Sequence, residues 1–356
     1  MLRPDLREAF YVYEQRFSWE GQVFTRRGFF AAVRLEPFER RVVLPHEKTL
    51  SGPKEDRRKL LRATRTQLSP IFGLYRDGDG AAGALVDAAT AATPAVEATT
   101  ADGVRHRMWT LTEPAAITDL TQLLRDKQIL IADGHHRYET MLGMRGELGS
   151  DFTMMYLARA EDPGLLVLPT HRLVRNLDGF DFSALCASAK AAFDIVGGNE
   201  ATPEAIEARL ARERRGNNGA GDRVVFAARV PGEAATSWFT LKSFVDLSAL
   251  GPPALRRLDV TVLHGVILGP LLGIDAAALA TQANLTYTHD TAEALRRVAA
   301  SEAHVAFLMN PTKVEQVLTA CEAGFVLPQK STYFQPKLAT GLVMYRLDGP
   351  APGAGR

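Results

Sequence analysis

The stretch "ILIADGHHRYETML", residues 129 to 142, constrains the fold more than any other part of the chain. An apolar run ends in Asp133 and Gly134, and His135, His136 and Arg137 then stand side by side. An apolar run that ends in D-G and gives way to a helical pattern reads as a buried strand turning directly into a helix. Such a junction sets the first amides of the helix together, unpaired and pointing outward. It places the chain in the α/β class.

The chemistry of that turn suits an anion. Asp133 can cap the helix, and Gly134 lets a ligand approach the backbone closely. A helix N-terminus favours a negative charge by about 0.3–1 kcal/mol when exposed and up to about 2 kcal/mol when partly buried. His135, His136 and Arg137 add donors there, and the planar fork of Arg137 matches phosphate oxygens. The cluster therefore reads as a phosphate-holding turn. A surface strand–helix connection with solvated side chains fits the same spacing. A His-His zinc site fits poorly, because consecutive helical residues point about 100° apart. Asp133 as a direct or water-mediated Mg²⁺ ligand beside a bound phosphate is the better metal reading.

Composition sets limits on everything else. The chain of 356 residues is long enough for two ordinary domains. Its 42 lysines and arginines against 41 acids leave a net charge of +1, so there is no general field for nucleic acid or an anionic membrane. Cys186 and Cys321 stand far apart, outside any zinc spacing and without a disulfide framework, which points to a reducing cytoplasm. The start "MLRPDLREAF" lacks a signal-peptide core, and the longest apolar stretch, "VTVLHGVILGPLLGI", is too short to span a bilayer.

Along the chain, "AFYVYEQRFSWEGQVFTRRGFFAAVRLE" predicts a long β-hairpin turning at "WEGQ", and "RVVLPHEKTL" a third strand running out at Pro45. "SGPKEDRRKLLRATRTQLS" reads as a helix capped by Ser51, with Pro53 near its first turn and an apolar face of Leu60, Leu61, Thr64 and Leu68. A buried strand "PIFGLYRD", a short helix "AAGALVDAAT", a hairpin at Asp102-Gly103 and the helix "AITDLTQLLRDKQ" lead to the opening motif. Beyond it come two strands within "FTMMYLARAEDPGLLVLPTHRLVRNL", two helices, the loop "NNGAGD" and a strand pair. A helical stretch from 253 to 273, the strand "HVAFLMN", a helix over 311 to 323 and a closing segment complete the chain. The division falls near Asn176 to Gly179, giving domains 1–177 and 178–348 and a disordered tail at 349–356.

Other clusters carry two readings each. "LPHEKT" ends a strand with His46, Glu47, Lys48 and Thr49; its carboxylate is either a general base or part of a charged strand end. "LPQKSTYFQPKLATG" gathers Lys330, Ser331, Thr332, Tyr333 and Lys337, as a second phosphate loop or as a polar loop with a packed aromatic. "LDVTVLH" and "TYTHD" offer Asp259, His264, His289 and Asp290, which read as satisfied structural groups.

Taken together, "YVYEQRF", "TRRGFFAAVRLEPF", "VVLPHEKTLSGPKEDRRKLLRATRTQLSPIFGLY", "ILIADGHHRYET", "LDVTVLH" and "PQKSTYFQPKLATGLV" resemble the bacterial domain-of-unknown-function family DUF1015. That family is similar to free-serine kinases of the ParB/sulfiredoxin-like superfamily. The resemblance implies an α/β (α+β) protein, with a ParB/sulfiredoxin-like nucleotide-binding domain followed by a second α/β domain of mixed sheet. The superfamily's first box, an acidic residue before a helix that leads to a "PI" strand, falls on Glu47 and "SPIFGLY". Its second box, a G-x-x-R turn into a helix, falls on Gly134, His135, His136 and Arg137.

What the resemblance implies is phosphoryl transfer from ATP or ADP with Mg²⁺ to a small hydroxylated acceptor, free L-serine being the case the kinases supply. Glu47 inherits the role of base, and His136 is nominated with it as catalytic. Asp133, Gly134, His135, His136, Arg137, Lys330, Ser331 and Thr332 are nominated to hold the nucleotide, with Asp133 as the candidate Mg²⁺ ligand. The alternative is a nucleotide-binding switch without catalysis. Neither reading expects nucleic acid or membrane as a partner. Two departures stand out. A leading segment with an "APPYDVI"-like motif is implied and absent before Tyr11, so an in-frame stretch of that kind is expected upstream. Sulfiredoxins carry a reactive cysteine where His135 stands, so sulfinic-acid repair has lost its nucleophile.

Overall fold

The computed structural model describes residues 4–5, 7–47, 54–215 and 222–349. The proposed cap Ser51, Pro53, and Lys48 and Thr49 lie outside the described residues, as do most of the loop "NNGAGD" and of the tail. The chain forms two compact units, residues 1–166 with 334–356, and residues 167–333.

In chain order the first unit carries strands β1 (Phe10–Trp19), β2 (Gln22–Arg34) and β3 (Val43–Pro45), then helix α1 (Lys54–Thr64). Strands β4 (Thr66–Gln67) and β5 (Ile71–Tyr75), helix α2 (Ala81–Ala89) and strands β6 (Val96–Thr99) and β7 (Arg105–Leu111) follow. Helix α3 (Pro114–Leu124), strand β8 (Ile129–Asp133), helix α4 (His135–Leu148) and strand β9 (Phe152–Arg159) complete the series. The β1–β2 hairpin turns at Glu20 and Gly21, both at positive φ (48° and 74°), a turn whose twist matches that of the strands.

Eight of these strands form one mixed sheet in the order β3-β8-β5-β9-β2-β1-β7-β6, with β3–β8 and β5–β9 parallel. One core gathers Val12, Phe29, Ile71, Ile131, Met155 and Leu157 with Tyr138, Met141, Met144 and Leu148 of α4. Those α4 positions recur at helical spacing, and each fully buried side chain contributes about 1.5–3 kcal/mol. Tyr138 fixes the helix further. Its hydroxyl donates to the Glu36 carbonyl at 2.8 Å and accepts from the Glu36 amide at 2.9 Å.

A second set of aromatics, Tyr13, Phe30, Phe72 and Tyr156, packs ring against ring, and Phe334 of the returning chain lies 5.5 Å from Phe72. The buried Arg26 donates to the Pro336 carbonyl at 2.7 Å and to Gln15 Oε1, with its guanidinium 4.9 Å from the Phe72 ring. Further on, Tyr345–Arg346 pairs antiparallel with β4. These contacts return the end of the chain to the first unit, a tie between distant residues that no local pattern announces.

A short strand, β10 (Leu166–Leu168), carries the chain onward. The second unit holds strand β11 (His171–Val174), helix α5 (Phe182–Ala189), strand β12 (Phe193–Gly198), helix α6 (Pro203–Arg215) and strands β13 (Val225–Arg229) and β14 (Thr236–Leu241). It continues with α7 (Pro253–Arg256), α8 (Asp259–Val262), α9 (Ala276–Thr281), β15 (Leu285–Thr288), α10 (Thr291–Ala299), β16 (Val305–Met309) and α11 (Val314–Glu322).

Its six strands run β12-β14-β13-β16-β11-β15, and every pair is antiparallel. Alternate residues of β13 and β16 fill two different cores. Phe226, Phe307 and Met309 join Leu185 of α5 and Val262 of α8, while Ala227 and Leu308 join Leu210 of α6 and Val298 of α10. Burial on both faces explains the unbroken apolar run of "HVAFLMN".

Four expectations need correction. The second unit's sheet is antiparallel rather than mixed, because β13 and β14 are joined by a short hairpin with Gly232 at φ 75° and no crossover helix. The units divide at 166/167, ahead of β11, because β11 is hydrogen-bonded into the second sheet. The helix predicted over 253 to 273 is broken: Leu258 is extended (ψ 132°), a new helix starts at Asp259, and Leu263–Leu268 widens to a π-helix. Leu60 is 49% exposed, leaving Leu61 as the leucine that anchors α1 in the core.

Candidate functional site

Strands β3 and β8 run parallel with Val43 opposite Ile129 and Pro45 opposite Ile131. Their carboxyl ends therefore open on the same edge of the sheet, and that is where an open α/β sheet binds ligands. Glu47 follows the end of β3 and the Gly134 turn follows β8. The two boxes recognised in the sequence are neighbours in space.

Gly134 is the N-cap of α4 at φ 100°, a conformation that side-chain-bearing residues rarely adopt. A Cβ there would sit 2.8 Å from Arg137 Nε and 2.9 Å from its Nη2, so the guanidinium folds back over the glycine. Glycine offers no side chain to cap the helix, and among the described residues no cap bond is made from the N-cap position. That corrects the expectation for Asp133, whose carboxylate is engaged elsewhere. One oxygen accepts from Arg137 Nη2 at 2.6 Å and the other from Lys337 Nζ at 2.9 Å. A helix start of this kind, led by a glycine and flanked by cations, suits an anion.

Electrostatics follow from this geometry. Burial draws the Asp133 carboxyl upward, but Lys337 and Arg137 outweigh it and hold the group below the ordinary aspartate range. Burial lowers Arg137, and Arg57 of α1 pushes the same way while Asp133 opposes both. Two cations, Arg137 and Lys337, thus hold one carboxylate at a helix N-terminus, and Arg57 acts on the first of them.

His135 points the other way, into the protein, and is 4% exposed. Its Nε2 accepts the backbone N–H of His46 at 3.2 Å, so its ring proton sits on Nδ1, 4.0 Å from Glu47 Oε1. His46 packs edge-on against that ring at 4.5 Å and reaches the Ile131 carbonyl through Nδ1 at 2.6 Å. A carbonyl only accepts, so that nitrogen carries the proton. His136 is half-buried on the first turn of α4.

Lys330, Ser331 and Thr332 belong to the second unit. The Lys330 carbonyl accepts from Arg172 Nη2 at 2.9 Å, and the buried Ser331 hydroxyl donates to the Pro328 carbonyl at 2.5 Å. Thr332 is half-buried. Sequence reasoning did not nominate His46, Lys337 or Arg57 for the site. Lys337 stood in a motif already singled out, and its density of polar groups was the only signal. Arg57 is one basic residue among several on α1, and nothing in the sequence marks it.

No group of three His, Cys, Asp or Glu able to hold a metal occurs among the described residues. Asp133 fits a direct Mg²⁺ role poorly, because both of its oxygens already hold cations. No described helix is long and apolar enough to cross a membrane. A cavity lined by Arg27, Tyr75, Asp87, Arg159 and Asp162 shares no residue with this cluster. Its walls are paired with one another, Arg27–Asp87 at 3.0 Å and Arg159–Asp162 at 3.9 Å, as in a structural charge network.

Fold and site define a mixed α/β protein with a glycine-led helix N-terminus, beside Arg137 and Lys337, at the ends of two parallel strands. The family model described as "Protein of unknown function (DUF1015)" matches residues 1–261, and the chain belongs to that family. No curated protein matches the sequence.

Among solved structures, it resembles a conserved hypothetical protein from Pyrococcus furiosus at 15% identity and a TM-score of 0.43, over 89% of this chain and 95% of that one. It also resembles a free serine kinase in complex with AMP at 14% identity and a TM-score of 0.42, over 86% of each chain. A mutant free serine kinase in complex with ADP gives 13% and 0.43, over 86% of this chain and 87% of that one.

Proposed function

We propose that the chain transfers the terminal phosphoryl group of a nucleotide, ATP or ADP, to the hydroxyl of a small acceptor. In this reading the first unit is a ParB/sulfiredoxin-like nucleotide-binding domain, and free L-serine is the acceptor that the sequence resemblance suggests. One observation carries the reading: a carboxylate, Glu47, stands at the same strand edge as the glycine-led N-terminus of α4. Those are the two parts phosphoryl transfer needs, a base for the hydroxyl and positive groups for the phosphates.

The phosphates rest on the first amides of α4, with Arg137 and Lys337 exchanging Asp133 for phosphate oxygens. Glu47 takes the proton of the acceptor hydroxyl. That oxygen bonds to the terminal phosphorus as the bond to the bridging oxygen breaks, and the nucleotide departs one phosphate shorter. Mg²⁺ bound to the nucleotide would neutralise phosphate charge, with most of its shell filled by phosphate oxygens and water. His135 presents its Nδ1–H towards Glu47 and orients it, which differs from holding phosphate. His136, at the first turn, is the histidine left to face the phosphates.

The experiment is a panel of nucleotides and small hydroxylated acceptors, headed by free L-serine, with mass-spectrometric detection of phosphorylated product. Stoichiometric conversion supports transfer. Nucleotide binding with no phosphorylated product from any acceptor would overturn it in favour of a regulatory nucleotide switch.

A further inference from the structure

The motif "LDVTVLH", read from sequence as structural, is used nowhere in that chemistry. It forms α8 and the start of the π-helical stretch Leu263–Leu268, with Val260, Val262, Leu263, Ile267 and Leu268 buried. Thr261 and His264, three residues apart, share a side of this segment. Thr261 Oγ1 and His264 Nε2 are both buried, and neither has a hydrogen-bond partner among the described residues.

A buried polar atom left unpaired costs about 1–3 kcal/mol, so two on one side of one helix call for a third party that satisfies both. Widened helical turns are rare and recur where a ligand is handled. Close enough for its charge to act on His264 lies Arg172 of β11, 2% exposed, with Nη2 on the Lys330 carbonyl at 2.9 Å and its guanidinium 5.7 Å from the Tyr287 ring. Burial and the Arg172 charge push the His264 imidazole down to about 3, so it stays neutral and offers a neutral N–H.

We propose that Thr261 Oγ1 and His264 Nε2, with the Arg172 charge beside them, form a binding site in the second unit for the carboxylate of a small molecule. One carboxylate oxygen accepts from the Nε2–H and the other from the threonine hydroxyl, and the arginine balances the charge. The chemistry favours a carboxylate: two neutral donors next to a fixed cation match a planar, singly charged acceptor. The site is independent of the phosphoryl-transfer reading, since none of its residues belongs to the Glu47–Gly134 cluster.

The test uses the full chain with ¹⁵N-labelled histidine, titrated with sodium acetate against sodium chloride at matched ionic strength. A saturable shift of one Nε2 resonance, absent in His264→Gln, is expected. Thr261→Val should weaken acetate binding about tenfold, the loss of roughly one hydrogen bond, while Thr261→Ser stays near the parent. Absence of a saturable shift in the parent overturns the proposal whether or not the variants fold. So does equal affinity in Thr261→Val, binding of inorganic phosphate in place of acetate, or a crystal structure in acetate with a lone water bridging the two atoms.

Discussion

Replacing Asp133 by Asn should move stability and nucleotide binding in opposite directions. The carboxylate holds Arg137 at 2.6 Å and Lys337 at 2.9 Å, and the amide that replaces it keeps one acceptor but no charge. Lys337 is 46% exposed, so that pair contributes about 0–1 kcal/mol. Arg137 is 23% exposed, and losing its charged partner costs about 1–2 kcal/mol after allowance for solvent. A loss of about 1–2 kcal/mol in a unit of this size lowers Tm by about 2–8 °C.

Binding should gain, because phosphate no longer competes with Asp133 for two cations. Recovering about 1.4 kcal/mol of that competition is a tenfold tighter Kd. Calorimetric titration of parent and Asp133→Asn with ADP and ATP, each with Mg²⁺ and with EDTA, reads both effects. Weaker binding in the variant with Mg²⁺, and parity in EDTA, would falsify the reasoning, because Asp133 would then be a metal ligand whose cations are bystanders.

Glu47→Gln keeps shape and one acceptor but removes the base; kcat should fall about 10²–10⁴-fold in single-turnover transfer with nucleotide affinity little changed, and transfer at the parent rate would reduce Glu47 to a charged strand end. Lys337→Met should weaken nucleotide binding about 10–100-fold, the scale of one charge-assisted hydrogen bond, with Lys337→Arg near the parent; equal calorimetric affinities would make Lys337 a partner of Asp133 only. Gly134→Ala, forced to φ near 100° and against Arg137, should lower unfolding free energy by about 1–2 kcal/mol and weaken binding together; an unchanged denaturation midpoint would show that the turn relaxes freely. Burial raises the Asp259 carboxyl to about 7, so the folded state keeps a proton that the unfolded state sheds near pH 4. Its contribution is full below about 4 and fades as pH rises to about 7; parent minus Asp259→Asn unfolding free energies, measured across that range, should fall with pH, and a flat difference would count against a buried, protonated Asp259.

Much of the first unit was legible because its signals are local. A hairpin needs left-handed residues at its turn, and "WEGQ" supplies them at Glu20 and Gly21. A strand that becomes a helix through D-G needs a glycine at positive φ, and Gly134 is that residue. The contacts that escaped the sequence join residues far apart along it. Lys337 meets Asp133 across more than half the chain, and Arg26 meets Pro336 across nearly all of it. Periodicity in an eleven-residue window cannot register either contact, so the final segment looked like part of the second domain.

The site taught a subtler lesson about neighbouring residues. In sequence, His135, His136 and Arg137 read as three equivalent donors. On a helix they fan out, and their environments then assign them different work. His135 turns inward, where the His46 amide fixes its tautomer and directs its proton at Glu47. Arg137 folds back over Gly134 onto Asp133. A string of cations at a helix start therefore does not measure how much positive charge faces a ligand. In the proposed reading one side chain aims the base and another is held in reserve by a carboxylate, so a phosphate would draw on the Arg137 and Lys337 charge only after Asp133 releases it. That ordering follows from the two hydrogen bonds on Asp133, and the Asp133→Asn titration measures it directly.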